Sequence, residues 1–293
     1  MEMNRLQNKI DIWIVNSGTG SGKIVYAESN PTYLTEVTGK SWLLLDNGKQ
    51  FLWQSEKDGN NHLYLVNLDG TPMKQVTKGD WEVTDLAGVD QKAGLIYYFS
   101  TEVSPIEKYL YSISFEGKGK KKFSNFEGSH SVSMSSAFNY FMDSYSSFMG
   151  VPQAGLFDKS GKDIKKLEEI AKLKATMDEY DLATPKFMEI KTESTGLLNA
   201  WVIKPPDFDP KKKYPLLMFV YGGPGSQTEK NELGGFNYFW YQMLARNGYI
   251  VASVDGRGTG VRGAEFKKCT YADLGKLEIE DQISAAKWFG NQS

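Results

Sequence analysis

Leu63-Tyr64-Leu65-Val66-Asn67-Leu68-Asp69-Gly70 returns 47 positions later as Leu110-Tyr111-Ser112-Ile113-Ser114-Phe115-Glu116-Gly117, and this recurrence decides the fold of the first half. The stretch just upstream behaves alike. Phe51-Leu52-Trp53-Gln54-Ser55-Glu56 is echoed 46 positions on by Tyr97-Tyr98-Phe99-Ser100-Thr101-Glu102. A fainter third copy runs from Tyr140 through Phe157-Asp158-Lys159-Ser160-Gly161. Turns fall at Asp46-Asn47-Gly48, Asp58-Gly59 and Asp69-Gly70, where small polar residues and glycine accept a tight reversal of the backbone. Weak self-similarity with a period in the mid-forties, at about four short strands per unit, is the pattern of β-propeller blades. About three blades fit, too few to close a ring, so further blades are expected upstream.

Near Asp163 the pattern changes. Ile164, Leu167, Ile170, Ala171 and Leu173 recur at helical spacing and predict a short amphipathic helix. A hairpin follows, with strands over residues 186–192 and 197–204 about a turn at Ser194-Thr195-Gly196. Residues 215–221 and 249–254 are short, continuous apolar runs, as in strands buried on both faces. Helices are predicted over 236–247, stopped by Gly248, and over 277–289. Glu278, Glu280 and Asp281 suit the positive end of the second of these. Alternating strands and helices predict a mostly parallel sheet with helices on its faces.

Composition narrows the function. A formal net charge of -2 offers neither a basic field for nucleic acid nor an acidic tail. The basic cluster 118–122 reads as a solvated hairpin tip. The single cysteine, Cys269, allows no disulfide within the chain and has no histidine after it to make it a nucleophile. Both histidines, His62 and His130, fall in strand-like or turn segments, which argues against a His-based metal site. Ser21-Gly22-Lys23 resembles the end of a P-loop, but Ile24 stands where Ser or Thr is required. Residues 1–9 carry no apolar signal core, and no run approaches the roughly 18 apolar residues of a membrane span.

Two Gly-rich loops carry the chemistry, each at the carboxyl end of a predicted strand, where open α/β sheets bind ligands. The first is Tyr221-Gly222-Gly223-Pro224-Gly225-Ser226. In α/β-hydrolases the early strand-to-helix loop supplies oxyanion-hole donors, and Tyr221 adds a phenolic donor there. The second, Asp255-Gly256-Arg257-Gly258-Thr259-Gly260-Val261-Arg262-Gly263, contains a formal dinucleotide fingerprint from Gly258 to Gly263, with Glu278 20 positions past Gly258. That rival requires an apolar helix after the last glycine, whereas Ala264-Glu265-Phe266-Lys267-Lys268 is polar and predicted irregular. No Gly-x-Ser-x-Gly elbow occurs in the 293 residues. The expectation is a chain that stops before its nucleophile.

These residues resemble the dipeptidyl peptidase IV branch of the prolyl oligopeptidase superfamily. Lys213-Tyr214-Pro215-Leu216-Leu217 leading into Val220-Tyr221-Gly222-Gly223-Pro224-Gly225-Ser226-Gln227 carries the likeness, as do Val251-Ala252-Ser253-Val254-Asp255-Gly256-Arg257-Gly258-Thr259-Gly260 and Leu274-Gly275 followed by Glu278-Ile279-Glu280-Asp281-Gln282. Phe51 to Glu56, Asp58-Gly59, His62-Leu63-Tyr64, Thr77-Lys78-Gly79 and Trp81-Glu82-Val83 look like the branch's propeller blades. The resemblance implies a mixed β and α/β fold. The C-terminal blades of a β-propeller would span residues 1–180, and the N-terminal part of an α/β-hydrolase domain would span 181–293, ending before the elbow.

The resemblance also implies a serine peptidase releasing N-terminal dipeptides with Pro or Ala second, by a Ser, His and Asp triad downstream of this chain. The chain alone would then be inactive; the alternative is a catalytically dead propeller–hydrolase interaction module. Of that family's functional residues only the oxyanion tyrosine maps here, onto Tyr221. The glutamates that hold a substrate's free amine belong to earlier blades, so no substrate-binding residue is assigned. Gly223 and Gly225 stand where some relatives carry Ala or Cys, which could alter access. No metal or cofactor is implied. The implied partners are peptides with a free N-terminus and, for the full-length protein, a second copy of itself; a bacterial source would imply the periplasm or cell envelope.

Overall fold

The computed structural model describes residues 1–35, 41–167, 170–180, 182–193 and 195–292. Four antiparallel sheets succeed one another along the first half, each pairing its strands in chain order. The first holds β1 (Glu2–Met3), β2 (Lys9–Val15) and β3 (Gly22–Ser29). The second holds β4 (Trp42–Leu44), β5 (Gln50–Ser55), β6 (His62–Asn67) and β7 (Lys74–Gln75). The third holds β8 (Val83–Asp90), β9 (Leu95–Ser100), β10 (Tyr109–Ser114) and β11 (Lys121–Lys122). The fourth holds β12 (Ser129–Met134), β13 (Tyr140–Ser146), β14 (Gln153–Asp158) and β15 (Asp163–Lys166). The repeated stretches of the sequence are thus the second and third strands of successive blades.

Side-chain alternation stacks these blades. On β9, Ile96 and Tyr98 pack with Leu52, Leu63 and Leu65 of the second sheet, whereas Tyr97 and Phe99 pack with Phe141 and Phe157 of the fourth. On β5, Leu52 faces the third sheet while Phe51 and Trp53 face Ile10, Ile12 and Val25 of the first. A central blade is covered on both sides, so its strands read as unbroken apolar runs rather than alternating ones. Each fully buried Leu or Phe in such a stack contributes roughly 1.5–3 kcal/mol. On the outer face of the fourth blade Tyr140 and Met142 are exposed, alternating with buried Phe141 and Asp143.

Two expectations change. Four sheets are present among the described residues rather than about three blades, because residues 1–29 form a three-stranded sheet that shares no repeat with the others. The helix predicted from Ile164 begins only at α1 (Ala171–Asp178). Ile164 lies on β15, because Asp158 Oδ1 accepts the amides of Ser160 and Lys162 at 2.8 and 3.1 Å and reverses the chain onto β14. Pairing with a neighbouring strand there outweighs a helical spacing of apolar residues. Ser194 of the predicted 194–196 turn and the 180/181 boundary residue Asp181 lie outside the described residues.

The second half forms one sheet of β16 (Lys186–Thr192), β17 (Gly196–Ile203), β18 (Leu216–Phe219) and β19 (Ile250–Asp255), in the order β16-β17-β19-β18. Only β18 and β19 are parallel; the β16–β17 hairpin joins β19 antiparallel, so the described sheet is mixed. Alternate residues again divide the faces. Trp201, Ile203 and Val251 pack with Tyr238, Tyr241 and Ala245 of α2 (Gly235–Arg246). Leu198, Ala200 and Val254 pack with Ala285 of α4 (Lys276–Gly290) on the other face. Met177 of α1 and Phe148, from the β13–β14 connection, join the α2 side, so that core is shared between the halves.

The halves are also joined by polar contacts about α3 (Gly263–Lys268), a helix where irregular chain was expected. Glu56, at the end of β5, pairs with Lys267, with Lys268 at 2.8 Å and with the Thr35 hydroxyl at 2.7 Å. Lys268 also donates to the Tyr33 carbonyl at 2.7 Å. At the helix start, the Gly263 amide donates to Glu82 Oε1 at 2.8 Å and the Ala264 amide to the Gly59 carbonyl at 2.7 Å.

Candidate active site

Tyr221 lies two residues beyond β18 and is 70% exposed, on a wall between two clefts. One, of about 540 Å³, opens toward the propeller and is lined by Asp85, Ile106, Glu107, Gln227 and Val261. The other, of about 400 Å³, is lined by Gly256, Arg257, Ile279, Gln282 and Ile283 at the α4 side. The tyrosine ring leans on Gly223, where a Cβ would stand 3.0 Å from ring carbon Cε1, so a side chain there would displace the phenol.

The loop carrying Tyr221 is laced to the second Gly-rich loop. The Gly225 amide donates to the Gly258 carbonyl and the Gly260 amide to the Ser226 carbonyl, both at 2.8 Å. Gly260 permits that approach, since a Cβ there would lie 2.7 Å from the Gly225 oxygen. Asp255, the last residue of β19, accepts the amides of Thr228 and Glu229 at 3.0 and 2.9 Å and the Thr228 hydroxyl at 2.6 Å. Beside it Glu229 is fully buried. Burial, and next the Asp255 charge, raise its carboxyl well above the ordinary carboxylate range.

From the other side, Arg257 is held by buried Asp281 of α4. Its Nη2 donates to Oδ1 at 2.8 Å, its Nε to Oδ2 at 3.0 Å, and its backbone amide to Oδ2 at 2.7 Å. This two-pronged pairing orients the loop as well as binding it. Of the acidic residues expected to complement the start of α4, Glu278 does so by accepting the Gly275 amide at 3.0 Å, while Asp281 serves the Gly-rich loop.

The dinucleotide alternative fails here. The helix after Gly263 has six residues, its first amide is taken by the Glu82 carboxylate, and the Glu278 carboxylate caps α4. A phosphate would meet a buried acid at that helix end. His62 lies on β6, with Nδ1 3.0 Å from the Thr77 hydroxyl and Nε2 2.9 Å from the Gly79 carbonyl. His130 lies on β12, 2.7 Å from Asp143 and 2.9 Å from the Phe126 carbonyl. Both are buried strand residues. Cys269 caps the end of α3 with its thiol 3.1 Å from the Phe266 carbonyl; partial burial raises that thiol and lowers its reactivity. Lys23 is on β3, in a hairpin strand rather than a phosphate loop. Among the described residues no group of three or more His, Cys, Asp or Glu is placed to hold a metal ion.

Sequence reasoning assigned no individual role to Asp255, Thr228 or Asn231, and gave Asp281 to the start of α4 rather than to Arg257. One signal was available for Asp255: a carboxylate closing the apolar run 250–254 must find donors at the end of a buried strand.

Residues 1–152 match the family described as Dipeptidyl peptidase IV (DPP IV) N-terminal region, and residues 235–293 match the Prolyl oligopeptidase family. The probable dipeptidyl peptidase 4 of Emericella nidulans is 32% identical over 97% of this chain, which spans 38% of that protein. The dipeptidyl peptidase 4 of Arthroderma otae is 33% identical over 97%, spanning 37%. The crystal structure of Porphyromonas gingivalis dipeptidyl peptidase 4 superposes with a TM-score of 0.92 at 37% identity, over 99% of this chain and 40% of that one. A putative dipeptidyl aminopeptidase IV from Bacteroides ovatus gives 0.85 at 27%, over 99% and 44%. The chain therefore spans less than two-fifths of the length of these curated relatives. With propeller-like blades leading into a hydrolase-like sheet and both segments matched, the chain belongs to the dipeptidyl peptidase IV branch of the prolyl oligopeptidase family.

Proposed function

We propose that this chain forms the oxyanion side of the active site of a serine-type dipeptidyl aminopeptidase, with propeller blades up to about residue 180 and hydrolase segments after it. The substrates are peptides with a free N-terminus, cleaved after a second-position Pro or Ala, and the full-length enzyme is a homodimer. The 293 residues contain no Gly-x-Ser-x-Gly sequence, so the nucleophile is not among them and the chain alone is inactive.

The observation that carries this reading is the exposed Tyr221 phenol, just past the carboxyl end of the half-buried strand β18, on a loop tied to its neighbour by two backbone hydrogen bonds. As a serine adds to the scissile carbonyl, the Tyr221 hydroxyl donates to the oxygen that becomes negative. A pre-positioned donor costs no reorganisation at that moment. In the full-length enzyme, Tyr221→Phe should lower kcat on an X-Pro anilide by ~10²–10³ with little change in KM. An unchanged kcat refutes the assignment.

A further inference from the structure

Tyr221 stands at the start of a long irregular segment between β18 and α2, of the kind that moves freely unless pinned. Its hydrolase-side pins are the two Gly-loop bonds and the Asp255 clamp. Ten residues past Tyr221, Asn231 supplies a different connection. Its backbone amide donates to the Ile106 carbonyl at 2.7 Å, and its side-chain Nδ2 donates to Glu107 Oε1 at 2.7 Å. Its side-chain Oδ1 accepts the Phe148 amide at 2.9 Å. Ile106 and Glu107 lie between β9 and β10 and Phe148 between β13 and β14, so one residue ties two blades to the segment. Nearby, Gln227 Nε2 donates to the Pro105 carbonyl at 2.7 Å. Glu107 is oriented in turn, since its Oε2 accepts the Tyr109 hydroxyl at 2.8 Å.

We propose that Asn231 is a positioning residue through which the propeller sets the Tyr221 loop, an inference that rests on the oxyanion reading of Tyr221. Asparagine fits because a short side chain must donate to a carboxylate and accept from an amide at once. Aspartate would oppose Glu107 with a second carboxylate, and alanine would lose both side-chain bonds, leaving only the backbone bond to Ile106. On the oxyanion reading of Tyr221, slackening this tie acts on the reacting oxygen rather than on ground-state binding. A displacement of about an ångström at a reacting centre costs up to ~10²-fold.

The test is made in the full-length enzyme. Asn231→Ala is expected to lower kcat about 10- to 100-fold with KM within about twofold, and to weaken a dipeptidyl boronate, a mimic of the tetrahedral state, by the same factor. Binding of the product dipeptide stays unchanged. Asn231→Asp is expected to slow the enzyme likewise, and adding Glu107→Gln, which returns a donor to the pair, restores most of kcat. General destabilisation would show no such rescue. Should Asn231→Ala fail to fold, Glu107→Leu removes the Nδ2 bond while leaving the Phe148 bond, and is expected to lower kcat in the same direction, by at least several-fold. Full kcat in folded Asn231→Ala or Glu107→Leu enzyme, beside a slowed Tyr221→Phe enzyme, overturns the positioning role only. Full kcat in Tyr221→Phe overturns the oxyanion reading and this inference with it.

Discussion

Replacing Glu56 by glutamine removes one charge and almost no volume, at the point where the second blade grips α3. Glu56 is 8% exposed and its partners Lys267 and Lys268 are 7% and 6% exposed. In the variant the two ammoniums keep the Thr35 hydroxyl, the Tyr33 carbonyl and whatever the new amide oxygen offers. Removing one partner of a buried ion pair typically destabilises by ~3–5 kcal/mol, because the remaining charge is stranded. The retained amide oxygen places this substitution near the lower end, at about 3 kcal/mol. The pH dependence gives a second check. Burial alone would raise the Glu56 carboxyl, but the two lysines and Thr35 outweigh it and hold the group below its ordinary value of 4.5. Its stabilising contribution is therefore present above pH 4.5 and is lost as pH falls through the lower folded-state value. Glu82 is shifted the other way, first by burial; only the smaller contribution of the Glu56 charge to that shift differs between the two proteins. Urea titration followed by tryptophan fluorescence should show the full gap at pH 7 and its disappearance in acid. A gap under about 1 kcal/mol at pH 7, the range of an exposed pair, refutes the argument; so does a gap that survives at low pH.

Glu229→Gln should be stabilising relative to the parent at neutral and alkaline pH and neutral in acid. A carboxyl raised by burial and by Asp255 stabilises least once pH has climbed through its folded-state value, and the amide has no proton to lose. Parallel urea titrations across pH check this, and a variant less stable at pH 8 than at pH 4, relative to the parent, contradicts it. Gly260→Ala should destabilise by ~1–3 kcal/mol, since its Cβ would meet the Gly225 carbonyl oxygen and part the two loops. A denaturation midpoint equal to that of the parent would show that the lacing is slack.

The blades were legible because their physics is local and repeated. A strand buried on both faces must be apolar throughout, and each reversal needs turn residues, so the 46- and 47-residue echoes appear in the sequence itself. The helical spacing from Ile164 misled for the converse reason. A few apolar residues fit either period, and the arbiter was a strand, β14, on which β15 could pair. The parallel sheet was overestimated likewise, because alternating elements do not reveal which neighbour a hairpin will join.

Tyr221 was readable as a candidate because its surroundings are contiguous: an apolar run, a phenol and a Gly-rich turn within a dozen residues. Its supports were not. Asn231 meets Glu107 across 124 positions and Lys267 meets Glu56 across 211, and nothing in either local sequence names the other. Composition, repeat period and strand-end loops follow from short-range constraints on burial and backbone turning, so the chain alone determined the blade architecture and the hydrolase-like second half, and marked Tyr221 as the candidate phenol. Which carboxylate meets which amide depends on how the propeller rests on the sheet. Tertiary structure alone decided that Glu56 and Glu82 grip α3, that Asp255 clamps the loop, and that Asn231 joins it to the blades, because a hydrogen bond requires positions that only the packed chain supplies.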